Sequence, residues 1–142
     1  MPIDQLPESV FVRTFSEDAQ VTDSAPSMGA YMMTGVKTKN EVISMQTGTI
    51  ALQPDQAGNY QCGTNPQNQN KQDTQTLLEL PKAEGWGTGV VTTTRITHAT
   101  PASTYAHICH RDAENDIASQ LIQSSQGDTY QRYNVKSNMG LL

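Results

Sequence analysis

Two short stretches place residues with usable chemistry at the same kind of junction, Asp23-Ser24-Ala25-Pro26 and His98-Ala99-Thr100-Pro101. The Ser24 hydroxyl can accept a hydrogen bond as a helix cap, or attack an electrophile once its proton is drawn away. Pro26 and Pro101 suit a first helical turn, where the missing N–H costs nothing. The start of a helix attracts anions through its free N–H groups and its macrodipole. The local chemistry therefore suits an anion site faced by Ser24, although a serine before a helix is more often a plain cap. His107 and His110 lie three apart around Cys109. His-x-x-His alone is a weak metal pattern, and core packing with charge complementarity at a helix C-terminus explains it better.

Such junctions need strands that feed helices. Residues 9 to 22 carry Val10, Phe11, Val12, Phe15, Val21 and Thr22 and read as extended structure. Ser24 then caps a helix running through SMGAYMMT and stopping at Gly35, a suitable C′ residue. Residues 42 to 52 read as one or two short strands. Residues 53 to 73 hold six Gln and four Asn and read as a polar surface loop without either element. TQTLLELPKAEG reads as helical, with Leu77, Leu78 and Leu80 inward. Pro81 makes that helix start late or kink, since an interior proline costs roughly 3 kcal/mol. GTGVVTTTRI is β-branched at nearly every place and predicts a parallel strand buried on both faces.

Thr100 is expected to cap the next helix, with Ala102, Tyr105, Ala106 and Cys109 as its apolar stripe. Asp112 can cap a further helix, AENDIASQLIQSS, with Ile117, Leu121 and Ile122 inward. The alternation predicts an α/β fold with a mainly parallel sheet and flanking helices, in one domain over residues 1–142. In open sheets of this kind, functional groups gather where strand ends meet helix starts.

Composition narrows the function classes. The net charge is −5, and nine basic residues are scattered, so there is no electrostatic footprint for nucleic acid or an anionic membrane. No apolar run reaches transmembrane length, and MPIDQLPESVFVRTF lacks the basic and apolar regions of a signal peptide. Hydrophobic residues make up 35% of the chain, so its core is thin. Cys62 and Cys109 allow one disulfide or two free thiols.

The string Val21-Thr22-Asp23-Ser24-Ala25, followed by Thr34-Gly35-Val36-Lys37-Thr38, resembles the nucleophile region of bacterial alkaline phosphatases. Thr92-Thr93-Thr94-Arg95-Ile96-Thr97-His98-Ala99-Thr100-Pro101, with Tyr105-Ala106-His107 and Arg111-Asp112 downstream, looks like the same family's next active-site segment. The resemblance covers about residues 5 to 125 and implies an incomplete part of the alkaline phosphatase core.

That resemblance assigns roles. Ser24 corresponds to the serine that becomes phosphoserine, and Arg111 to the arginine that holds two phosphate oxygens. Asp23 corresponds to the neighbour that orients the arginine, Thr100 to a Mg²⁺ ligand, and His98 to a variable position that tunes the metal site. Two Zn²⁺ ions are implied at the attacking and leaving oxygens of an in-line displacement. The zinc ligands themselves belong upstream and downstream of this segment, and none of His98, His107 and His110 matches one. The substrates implied are small phosphate monoesters, the location periplasmic or secreted, and the assembly a homodimer. If the chain is exported, Cys62 and Cys109 would pair. The chain thus reads as a partial, metal-dependent phosphomonoesterase. Its alternative is a non-catalytic phosphate-binding fragment without zinc. A Ser-His-Asp hydrolase is disfavoured, because no G-x-S-x-G elbow is present.

Overall fold

Both junctions start helices, but each helix is capped earlier in the chain than the sequence suggests. The computed structural model describes residues 10–33, 36, 38–122 and 134–137. Helix α1 spans Ser24–Met32, and its N-cap is Asp23, whose carboxylate accepts from the Ala25 N–H at 3.0 Å. A carboxylate is as good a cap as a hydroxyl and carries a charge favourable at a helix N-terminus. Asp23 therefore displaces Ser24 from the expected cap, and Ser24 becomes the first helical residue. The helix ends where Met33 turns extended. Gly35, expected as the C′ residue, lies outside the described residues.

Strand β1 (Thr49–Ala51) pairs antiparallel with β2 (Cys62–Thr64), with Ala51 opposite Cys62. The segment 53 to 73 is therefore at the surface, as expected, yet contains a strand. Its polarity reports solvent exposure, while the pairing is set by a partner strand earlier in the chain, with Ala51 meeting Cys62 and Thr49 meeting Thr64. Gly48, just before β1, lies so close to the backbone of Asn68 and Asn70 that an added Cβ would collide with it.

Helix α2 (Glu79–Ala83) starts late, so that Pro81 falls in its first turn. A reciprocal pair of the capping-box kind lies in the turn just before it: Thr76 Oγ1 accepts from the Glu79 N–H, and Glu79 Oε2 accepts from the Thr76 N–H at 2.8 Å. Five helical residues cannot bury three leucines. Only Leu78 packs against the core, whereas Leu77 and Leu80 are exposed.

Strand β3 (Gly89–Thr92) pairs parallel with β4 (Asn134–Ser137). Only one face of β3 is covered, since Val90 packs inward while Val91 is 77% exposed. Burial on both faces, the sequence expectation, does not occur among the described residues. β-branched side chains report a strand but not what covers it. Residues 10–22 likewise form no ladder among the described residues, and Val10, Phe11 and Val12 are exposed.

Helix α3 (Ala99–Ala102) is capped in position by His98, not Thr100, which is its exposed second residue. The stripe Ala102, Tyr105, Ala106 and Cys109 is buried as expected, although the helix itself stops at Ala102. Helix α4 (Glu114–Ile122) buries Ile117 fully and Leu121 in part, while Ile122 is 76% exposed. These residues join Ala25, Ile43, Ala99 and Ile108 in one core. The isolated bridge between Ile43 and Ile108 draws the chain after α1 against the segment that precedes Arg111.

Candidate functional site

Small residues at the helix starts set the site. Ala25 of α1 and Ala99 and Ala102 of α3 are almost fully buried, which lets the two helices approach closely. Ser103 Oγ then donates toward Ala25 O at 3.2 Å and Ala99 O at 2.8 Å, fastening one helix to the other. Two helix N-termini are thereby brought side by side, one opened by Asp23-Ser24 and the other by His98.

Arg111 enters between them. Its Nη1 donates to Ser24 Oγ at 2.9 Å and to Asp23 Oδ2 at 3.1 Å, and its Nη2 donates to His98 Nε2 at 3.1 Å. Both Arg111 and Asp23 are about three-quarters buried. Since the guanidinium has no acceptor, His98 Nε2 must be the bare nitrogen and Nδ1 the protonated one. That Nδ1 is buried without a partner. A planar, permanently charged fork beside a hydroxyl and between two helix starts suits a tetrahedral oxyanion.

Asp23 is itself held. Its N–H donates to Asn40 Oδ1 at 3.1 Å, and its Oδ2 also accepts from the Glu41 N–H at 3.2 Å. Asn40 Nδ2 donates in turn to Val21 O. Asn40 and Glu41 carry no local pattern that marks them, and sequence reasoning passed them over. Beyond His98, Arg95 grips Glu114 through Nε and Nη2, and Thr97 Oγ1 donates to the same carboxylate. Arg95 and then Thr97 hold the Glu114 carboxyl down to about 2.

The other two histidines diverge. His107 Nδ1 lies 2.8 Å from Ser44 O and Nε2 lies 2.8 Å from Glu79 Oε1. Burial pulls the His107 pKa down, but the acceptors Glu79 and Ser44 outweigh it and the net direction is up. Burial pushes Glu79 up, yet its bonds to His107 and to the Thr76 N–H win and its carboxyl lies below the usual range. His110 instead stacks on Tyr60 and pairs with Glu41. The two rings thus face different partners. Neither is on a helix, contrary to the expected helical placement, because the chain turns after Ala102.

Comparison with known proteins decides what this arrangement belongs to. A family model described as Alkaline phosphatase matches residues 1–140. The chain belongs to the alkaline phosphatase family. Alkaline phosphatase 4 of Drosophila melanogaster is 37% identical over 157 residues, covering 98% of this chain and 23% of that protein. The solved alkaline phosphatase of the Antarctic bacterium TAB5 superposes with a TM-score of 0.57 at 32% identity, over 77% of this chain and 25% of that one. A mutant of the TAB5 enzyme with Mg bound in the M3 site superposes with a TM-score of 0.59 at 30% identity, over 78% of this chain and 25% of that one. The chain therefore spans about a quarter of the length of these relatives.

As a member of the alkaline phosphatase family, this chain can be tested for metals. A zinc site takes three or four nitrogen, sulfur or carboxylate ligands, and magnesium takes about six oxygens. Among the described residues no three His, Cys, Asp or Glu side chains converge in that way. The buried, unpartnered His98 Nδ1 and the exposed Thr100 hydroxyl are single donors on either side of Ala99. The described residues on their own do not fit either ion. The pairing expected of an exported chain is present: Cys62 and Cys109 form a disulfide that ties β2 to the segment before Arg111. No described helix is long and apolar enough to cross a membrane.

Proposed function

We propose that this chain carries the nucleophile and phosphate-holding part of a phosphomonoesterase, with Ser24 accepting the phosphoryl group and Arg111 binding two of its oxygens. The observation that supports this reading is the 2.9 Å contact between Arg111 Nη1 and Ser24 Oγ, residues 87 apart in sequence. When a phosphate monoester binds, the two Nη groups turn from Ser24 and His98 to the ligand's oxygens. Asp23 keeps its hold on the guanidinium throughout. The fork offsets part of the dianion's charge and orients phosphorus toward Ser24 Oγ. The Oγ–phosphorus bond forms as the bond from phosphorus to the ester oxygen breaks, and the proton that Ser24 gives up to solvent is matched by the one the departing alcohol takes up.

The finer family features belong to this reading as well. Were ligands from outside the described residues to complete the sites, Thr100 would offer one oxygen to Mg²⁺, His98 would tune the metal site nearby, and Zn²⁺ would be held wholly by those other ligands. β3 and β4 are part of a mainly parallel sheet, and residues 1–142 act as one domain with a polar surface from 53 to 73. The protein is a periplasmic or secreted one, consistent with its disulfide, and forms a homodimer. A second reading shares the same geometry: phosphate binding by Ser24 and Arg111 without zinc and without turnover.

Hydrolysis of p-nitrophenyl phosphate at high pH with added Zn²⁺ and Mg²⁺ separates the two. Turnover, together with a phosphoenzyme trapped at low pH and lost in Ser24→Ala, supports the enzyme. Phosphate binding with no turnover and no zinc by elemental analysis supports the second reading. Absence of phosphate binding under all conditions rejects both.

A further inference from the structure

Arg111 belongs to a ring of contacts larger than its bond to Asp23. The oxygen Asp23 Oδ2 accepts from Arg111 Nη1 and from the Glu41 N–H. The side chain of Glu41 then reaches in the opposite direction, where its Oε2 lies 2.9 Å from His110 Nε2. His110 is the chain neighbour of Arg111, so Arg111, Asp23, Glu41 and His110 close on one another. Glu41 holds this double role at φ 69°, a left-handed conformation uncommon for a glutamate and found where surrounding structure enforces it.

The ring is anchored from the other side. His110 stacks on Tyr60 with centroids 4.1 Å apart and planes 6° from parallel. Tyr60 lies two residues before Cys62, which is disulfide-bonded to Cys109. The two residues preceding Arg111 are thus fastened to one edge of the β1–β2 hairpin, one covalently and one through its ring. The Asp112 N–H donates to His110 Nδ1 at 3.2 Å, so Nδ1 is bare and the proton on Nε2 is donated to Glu41. The His110 side chain is only 13% exposed although Glu41 is 55% exposed. The stack therefore fixes the ring, and the partly solvated pair with Glu41 sets its rotation.

We propose that His110, held between the Tyr60 ring and the Glu41 carboxylate, is a positioning residue for Arg111. The proposal rests on the reading of Arg111 as the phosphate-binding arginine. It adds that the direction of the fork is set from behind by a histidine that does not touch the ligand. Any merely structural role would alter stability without altering the rotation of the guanidinium.

Two readouts on the 142-residue chain test this. One is the NMR signature of the Arg111 guanidinium, assigned by its loss in Arg111→Lys. The other is the affinity for inorganic phosphate by calorimetry. In the unaltered chain the Arg111 N–H signals are expected to show hindered rotation and contacts to Ser24. His110→Ala is expected to average those signals and weaken phosphate binding about three- to tenfold. Tyr60→Phe, which keeps the ring, should stay within about twofold, and Glu41→Gln, which keeps an oxygen acceptor, should retain most of the order. Should His110→Ala fail to fold, His110→Phe keeps the stack and removes the Nε2 bond, and is expected to loosen the same signals in part. Unchanged guanidinium signals in the folded His110 variants overturn the proposal. If those signals loosen while the unaltered chain binds no phosphate, the positioning role stands and the phosphate reading falls.

Discussion

Arg111 Nη1 stands 2.9 Å from Ser24 Oγ, although the two residues are separated by most of the described chain. A guanidinium brought that far to meet a hydroxyl at a helix start is costly in loop entropy and has to be held by the fold. The contact defines a first expected outcome. Arg111→Ala weakens inorganic phosphate binding by roughly 1.5–3 kcal/mol, the size of a charged hydrogen bond. Arg111→Lys recovers only part of this, because a point charge cannot form the bidentate fork. Calorimetric titration of the two variants checks both statements, and equal affinity in all three proteins would remove Arg111 from the site.

Asp23 serves α1 and Arg111 at once, through Oδ1 and Oδ2 respectively. Asp23→Asn keeps an oxygen for the cap and is expected to retain most of the stability while loosening Arg111. Asp23→Ala loses both functions and should cost about 1 kcal/mol from the cap alone. Urea denaturation of the two variants, set beside their phosphate affinities, distinguishes the capping role from the orienting one.

The Cys62–Cys109 disulfide closes a separation of 47 residues. In the chain-entropy account, removing such a link costs roughly 3–4 kcal/mol. Denatured without reductant, the protein should therefore yield no free thiols, and two after reduction. Reduction should lower the denaturation midpoint and weaken phosphate binding as well, because Cys109 lies two residues before Arg111.

Glu79 and His107 make stability depend on pH in opposite senses. His107 is raised above its ordinary 6.5, so its contribution is complete below that value and is lost as pH rises through the raised one. Glu79 is lowered from 4.5, so its contribution is complete above 4.5 and is lost as pH falls through the lowered value. The pair therefore contributes most between about 4.5 and 6.5, where both acceptors around His107, Ser44 O and Glu79 Oε1, are met by an imidazolium. Melting temperatures measured across pH should fall on both sides of that window. His107→Asn should flatten the profile, and an unaltered profile in that variant would show that other groups govern it.

What the sequence by itself determined is local. Proline in the first turn at Pro26 and Pro101, the burial of Ala102, Tyr105, Ala106 and Cys109 and the strand at Gly89–Thr92 follow from short-range sterics and hydrophobicity, although the helical period of that stripe does not hold beyond Ala102. The strings around Ser24 and Arg111 were likewise legible, because a family's motif is a sequence property. Tertiary structure decided the rest, since it depends on which surfaces meet. Asp23 took the cap from Ser24 because its two oxygens could serve Ala25 and Arg111 together. Leu77, Leu80, Val91 and Ile122 stayed outside because too little surface packs over them among the described residues. Asn40, Glu41 and Tyr60 carry no pattern in the chain, and His110 carries only a His-x-x-His spacing that says nothing of Arg111. They gain meaning only because a loop, a hairpin edge and a disulfide converge behind one guanidinium, and pairings over such distances are fixed by packing rather than by neighbouring residues.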